Sequence, residues 1–148
     1  MKYSKRTIAK NGKELYLRNA EASDGVAVLE SFLQAHAETD YLLSYPDENQ
    51  MDAEQESRFL ARKAESPNEI EVIALMEGKI VGTAGIDAVG AFYKLRHRAE
   101  FGVNILKEYW GLGVGRALME ACIQCAREAG YAQLELSVVA ENTRAIAL

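Results

Sequence analysis

Apolar and polar positions alternate along the chain with two different periods. Leu15-Tyr16-Leu17-Arg18 has the two-residue period of a short strand, following a polar opening, Met1 to Gly12, that reads as a mobile tail. Val26, Leu29, Leu33 and Ala37 recur at helical spacing behind Ser23 or Asp24, either of which can cap a helix. Tyr41 to Asn49 holds Pro46 among polar residues and reads as a loop. Asp52 and Gln55 have capping-box spacing for a second helix that ends near Ser66-Pro67-Asn68. Ile70 to Met76 and Ile80 to Ile86 are strand segments, and the tight Glu77-Gly78-Lys79 connection predicts an antiparallel hairpin.

Phe92 to Arg98 is a basic, partly aromatic link. Ala99 to Leu106 follows as a strand with Phe101, Val103 and Ile105 on one face and Glu100, Gly102 and Asn104 on the other. Val114, Leu118, Ala121, Cys122, Cys125 and Ala129 make one apolar helical stripe, and Gly130 is placed to stop it. Leu134, Leu136 and Val138 alternate with Gln133, Glu135 and Ser137 in a fifth strand, after which Asn142 can cap a last helix, Thr143 to Leu148. This order predicts one α/β domain over residues 13–148, a mixed, mainly antiparallel sheet with helices on both faces.

Composition narrows the function. With 148 residues, 49% hydrophobic and 26% charged, the chain is large enough for one packed soluble domain. Seventeen basic against 22 acidic side chains give −5, which disfavours nucleic acid as a partner. No stretch approaches the ~20 apolar residues of a membrane helix, and the polar opening lacks the apolar run of a secretory signal. The expectation is a cytoplasmic protein with no membrane partner. Cys122 and Cys125 have Cys-x-x-Cys spacing, but both fall on the apolar stripe and no second pair completes a zinc tetrad. No metal is expected.

The run Tyr109-Trp110-Gly111-Leu112-Gly113-Val114-Gly115-Arg116-Ala117-Leu118 carries the chemistry. Glycines at alternate positions between a strand and a helix allow a tight turn and close approach of a ligand to the main chain. The helix start adds unpaired N–H groups and a positive dipole end, a seat for a phosphate or diphosphate. A Walker P-loop matches poorly, since Arg116-Ala117 stands where Lys-Ser/Thr is needed. A dinucleotide fingerprint fails too: its third glycine falls on Arg116 or Leu118, and only one strand follows the loop. Glu135, near the position of a ribose-binding acid, reads as a solvated strand residue.

Trp110-Gly111-Leu112-Gly113-Val114-Gly115 resembles the pyrophosphate loop of the GNAT superfamily, the acyl-CoA-dependent N-acetyltransferases. The family form is Gln/Arg-x-x-Gly-x-Gly/Ala between its fourth strand and third helix. Gly113 and Gly115 match, and Trp110 departs from Gln/Arg. His97-Arg98-Ala99-Glu100-Phe101-Gly102-Val103 is similar to the family's fourth strand. Ala140-Glu141-Asn142-Thr143-Arg144 is similar to the segment after its fifth. Leu17-Arg18-Asn19-Ala20 with Asp24, and Gly78-Lys79-Ile80-Val81-Gly82, resemble its opening and its central hairpin. The nearest branch is the bacterial one that includes ribosomal-protein N-terminal acetyltransferases.

The resemblance implies parallel central strands that splay apart, with the pantetheine arm of acetyl-CoA pairing to exposed strand backbone. Val103, Asn104 and Ile105 are then the main-chain contacts, and Trp110, Gly111, Leu112, Gly113, Val114, Gly115 and Arg116 the diphosphate contacts. Asn142 is either a cofactor ligand or a plain helix cap. The reaction implied is direct attack of a primary amine, of a small molecule or a protein N-terminus, on the thioester. Glu100 is the candidate general base, His97 a weaker one, and the N–H of Val103 or Ile105 a donor to the thioester carbonyl. Glu38 and Asp40 lie in the region that shapes acceptor pockets in the family. The tyrosine that usually serves as general acid falls one residue past Leu148, and the family's last strands are expected to be missing. A non-catalytic acyl-CoA-binding domain is therefore the alternative function, and a nucleotide-dependent oxidoreductase a distant third. A homodimer is compatible with the resemblance.

Overall fold

The computed structural model describes residues 1–38, 52–88, 98–131 and 133–136. Among these, six strands form one sheet in chain order: β1 (Ser4–Ile8), β2 (Glu14–Asn19), β3 (Ile70–Met76), β4 (Lys79–Ala88), β5 (Arg98–Ile105) and β6 (Gln133–Leu136). Helices α1 (Gly25–Glu38) and α2 (Ala53–Glu65) lie between β2 and β3, and α3 (Val114–Ala129) lies between β5 and β6. Pairing is antiparallel from β1 through β5, and β5 pairs with β6 in parallel. The mixed, mainly antiparallel sheet read from the sequence is thus the observed architecture.

The opening residues form a strand instead of a tail. β1 pairs along β2, but its outer-edge position leaves nearly every residue exposed, so Lys5 and Arg6 hide it from a hydrophobic pattern. Charged side chains on such an edge also discourage pairing with another chain. Because of this strand, the segment similar to the family's fourth strand is β5 here.

Each sheet face buries a separate cluster. Leu15, Leu17, Val72, Ala84, Ile86 and Phe101 pack with Val114, Leu118, Cys122 and Cys125 of α3. On the other face Ile73 and Ile80 pack with Val28 of α1 and Leu60 of α2. Burial at ~25 cal/mol per Å² of apolar surface makes these two seams the main adhesive of the domain. α2 begins as read, with Asp52 Oδ1 accepting from the Gln55 N–H at 2.8 Å and Gln55 Oε1 accepting from the Asp52 N–H at 2.9 Å. α1 is rotated from its reading: Val26 is 57% exposed and Leu33 40%, while Val28 and Ser31 are buried. The helix carries apolar residues on several sides, so contact with α2 and the sheet, not periodicity, decides its inner face.

Candidate active site

The glycine loop joins the end of β5 to α3 through a 3₁₀ turn over Lys107–Tyr109. Gly111 and Gly113 have φ of +80° and +91°, conformations that L side chains rarely adopt. Gly113 is the residue before α3 and provides no side-chain cap. The first main-chain bond of the helix is donated by Ala117 to the Gly113 carbonyl, at 3.0 Å. Among the described residues, no N–H from Gly111 to Arg116 donates to a main-chain carbonyl outside the helix ladder. Donors without such acceptors at a positive dipole end favour an anion with several oxygens. Gly115 is buried inside the first turn.

Beside that loop, the second half of β5 is unpaired on the side away from β4 among the described residues. Its pairing with β6 runs from Arg98 to Phe101, and Gly102 to Ile105 have no neighbour on that side among the described residues. The Leu106 N–H donates to the Val81 carbonyl of β4 at 3.0 Å. In a trans peptide the preceding carbonyl points the opposite way, so the Ile105 C=O faces the open edge. Antiparallel alternation then turns the main chain of Val103 and Ile105 outward and that of Asn104 toward β4. Asn104 thus departs from its reading as a main-chain contact, and its side-chain Oδ1 accepts from Thr83 Oγ1 at 3.1 Å. Trp110 sends its indole N–H to the Ile105 carbonyl, at 2.9 Å.

The family model for the acetyltransferase (GNAT) family matches residues 29–148. The chain belongs to the GNAT acetyltransferase family. An acetyltransferase of this family from Streptococcus pneumoniae is 30% identical, with a TM-score of 0.84 over 90% of this chain and 80% of that one. The ribosomal-protein-alanine N-acetyltransferase of Brucella melitensis is 27% identical, with a TM-score of 0.76 over 88% of this chain and 78% of its own. YncA of Salmonella typhimurium, solved with its cofactor acetyl-CoA, shares the fold at 20% identity and a TM-score of 0.77, over 90% of this chain and 75% of its own. No curated protein sequence matches the chain.

In this GNAT chain Glu100 is exposed on the sheet face away from α3, directly opposite Asp87 of β4. It is also in register with Glu135 of β6. Beneath the Asp87 side lies a charged group that the sequence reading missed. Lys63 of α2 is 1% exposed, with Nζ 2.8 Å from Asp87 Oδ1 and 3.3 Å from Glu71 Oε2. Burial works against the Lys63 charge, but Glu71 and Asp87 together hold its pKa above the ordinary lysine range. Burial raises the Glu71 carboxyl, and Lys63 offsets part of that rise. Glu56, also buried, is raised by desolvation and by Glu71. The sequence held one trace of this group: Glu56 and Lys63 share the inner row of α2 with Leu60 and Ala64.

Cys122 and Cys125 are buried and free, as their place on the apolar stripe implies. Burial pushes the Cys122 thiol well up and that of Cys125 to about 11, so neither offers a thiolate near neutral pH. Among the described residues no His, Cys, Asp and Glu group is arranged to hold a metal ion. No described helix is long and apolar enough to cross a membrane. His97, Asp40 and Asn142 lie outside the described residues, as do the side chains of Glu38 and Glu135.

Proposed function

We propose that this GNAT chain is an acetyl-CoA-dependent N-acetyltransferase acting on a primary amine of a small molecule or of a protein N-terminus. One observation carries the reading: among the described residues, the N–H groups of Gly111 to Arg116 have no main-chain acceptors outside the helix, beside two left-handed glycines and a helix start with no side-chain cap. That donor set fits a diphosphate, and the outward main chain of Val103 and Ile105 fits an extended amide-bearing arm laid along the strand. Arg116, exposed on the first turn of α3, adds positive charge at the same end.

Bound acetyl-CoA supplies the activated acetyl thioester. The chain's own residues hold it and manage the proton. An amine acceptor is largely protonated at neutral pH and must lose that proton to become a nucleophile. Glu100 accepts it, directly or through one water. In the transfer the amine nitrogen would take the place of the thioester sulfur, and the second proton, shed as the amide forms, would leave with that sulfur as the free thiol. The outward N–H of Val103 or Ile105 is oriented to donate to the carbonyl oxygen as charge builds on it.

Thermal-shift titration tests the reading. Acetyl-CoA at about 100 times its Kd stabilises the native state by about 2.7 kcal/mol, whereas ATP and NAD give no shift. A flat response to saturating acetyl-CoA overturns the proposal. Binding without release of free thiol, across a broad panel of amines, would instead identify a non-catalytic acyl-CoA-binding domain.

A further inference from the structure

The chain's single tryptophan spans the junction between β5 and the glycine loop. That junction is short. The Leu106 N–H is fixed to β4, the Tyr109 N–H donates to Leu106 O at 2.9 Å, and the Trp110 N–H donates to Lys107 O at 3.1 Å. These last two are 3₁₀-type bonds, whose geometry is poorer than that of an α-helix. The indole bond bypasses the turn by linking Trp110 to the last residue of the strand. A second tie reaches the loop from the β1–β2 turn, where the Lys10 N–H donates to Leu112 O at 3.0 Å. Both ties end on carbonyl oxygens and use none of the loop's main-chain N–H groups.

We propose that Trp110 is a positioning residue: its indole, fixed on the Ile105 carbonyl, sets the distance between the diphosphate-binding loop and the pantetheine-binding edge of β5. This rests on the coenzyme A reading above and deepens it. A ligand that engages both elements is bound bivalently, and its affinity depends on how well the spacing of the two sites matches its own length. A ligand that engages the loop alone does not sense that spacing. The tether also occupies one lone pair of the Ile105 carbonyl. The strand edge therefore offers the arm the carbonyl of Val103 and the N–H groups of Val103 and Ile105.

Two measurements test it. In ligand-free protein, the single indole N–H signal in a nitrogen–proton spectrum should exchange with solvent far more slowly than that of a free indole. Exchange at the free rate would overturn the tether, whatever the protein binds. Affinities are then measured for coenzyme A and for 3′-phospho-ADP, which keeps the diphosphate and lacks the pantetheine arm. Trp110→Phe should weaken coenzyme A by about tenfold and 3′-phospho-ADP by no more than about twofold, with Trp110→His restoring part of the difference. A benzothienylalanine at position 110 keeps the ring shape without the N–H and should behave as Trp110→Phe does. Equal loss for both ligands, or none for coenzyme A, rejects the positioning role. If the unmodified protein binds no coenzyme A, the cofactor reading fails while the exchange result still decides the tether.

Discussion

Asp87 stands directly opposite Glu100, and Lys63 Nζ reaches Asp87 Oδ1 from beneath at 2.8 Å. Like charges facing each other across strands are destabilising, and the buried ammonium offsets them. It also compensates Glu71, whose Oε2 would lie 2.3 Å from a Cβ placed on Gly85. Glycine at that position is what lets the ion pair close. Lys63→Met removes the ammonium and strands two carboxylates. We expect a loss of about 3 kcal/mol in urea unfolding. Lys63→Met combined with Glu71→Leu should recover part of it, because apolar replacements for a buried pair are often near neutral. A double variant no more stable than the single one would show that Lys63 acts through packing alone.

Glu100→Gln keeps the shape of the side chain and removes its basicity. If Glu100 takes the acceptor's proton, the rate at neutral pH falls by about 10²-fold with coenzyme A affinity unchanged. The deficit should shrink as pH rises toward the pKa of the amine, about 8 for a protein N-terminus and about 10.4 for a lysine-like amine. A pH-independent deficit would assign Glu100 to acceptor binding, and unchanged turnover would remove it from the mechanism.

A Cβ placed on Gly113 meets nothing within 4 Å among the described residues, so a side chain there is resisted by its φ of +91° and by whatever ligand occupies the loop. Gly113→Ala should therefore cost about 1 kcal/mol of stability. Gly113→Val should weaken coenzyme A by a further factor, as its branches fill the approach to the loop's N–H groups. Retained affinity in the valine variant would place the diphosphate elsewhere.

The glycine loop was legible in the sequence because its demand is local. Gly111 and Gly113 take backbone angles that few other residues accept, and the strand before and helix after carry their own periods. The buried lysine was not legible, because its partners Glu71 and Asp87 come from two strands that only the fold brings beneath α2. β1 was missed because an edge strand with exposed faces has no alternation to read. On α1, Val26 and Leu33 follow helical spacing as well as Val28 and Ser31 do, and tertiary contact chose the second pair. The direction of the Asn104 main chain was beyond reach for a related reason: alternation gives side-chain faces, whereas hydrogen-bond direction follows from register with β4.

Asp24 joins β2 to the start of α1 and gives the fold an acid-sensitive joint. Its Oδ1 and Oδ2 each accept from Arg18 at 2.8 Å, and Oδ2 also accepts from the Glu21 N–H at 2.8 Å. The Arg18 guanidinium, with help from that N–H and against partial burial, holds the Asp24 carboxyl below its usual range. A depressed carboxylate binds its proton less readily when folded than when unfolded. The stability it contributes is therefore complete above its unfolded pKa of about 3.9 and lost as pH falls through the lower folded value. Asp24→Asn should cost about 1.5 kcal/mol at pH 7 in urea unfolding. The gap to the unmodified protein should narrow once the pH is taken below about 3, where both side chains are neutral in the unfolded chain and increasingly so in the folded one. A gap that stays constant between neutral and acid pH would mean that Asp24 supports the joint by hydrogen-bond geometry and not by charge.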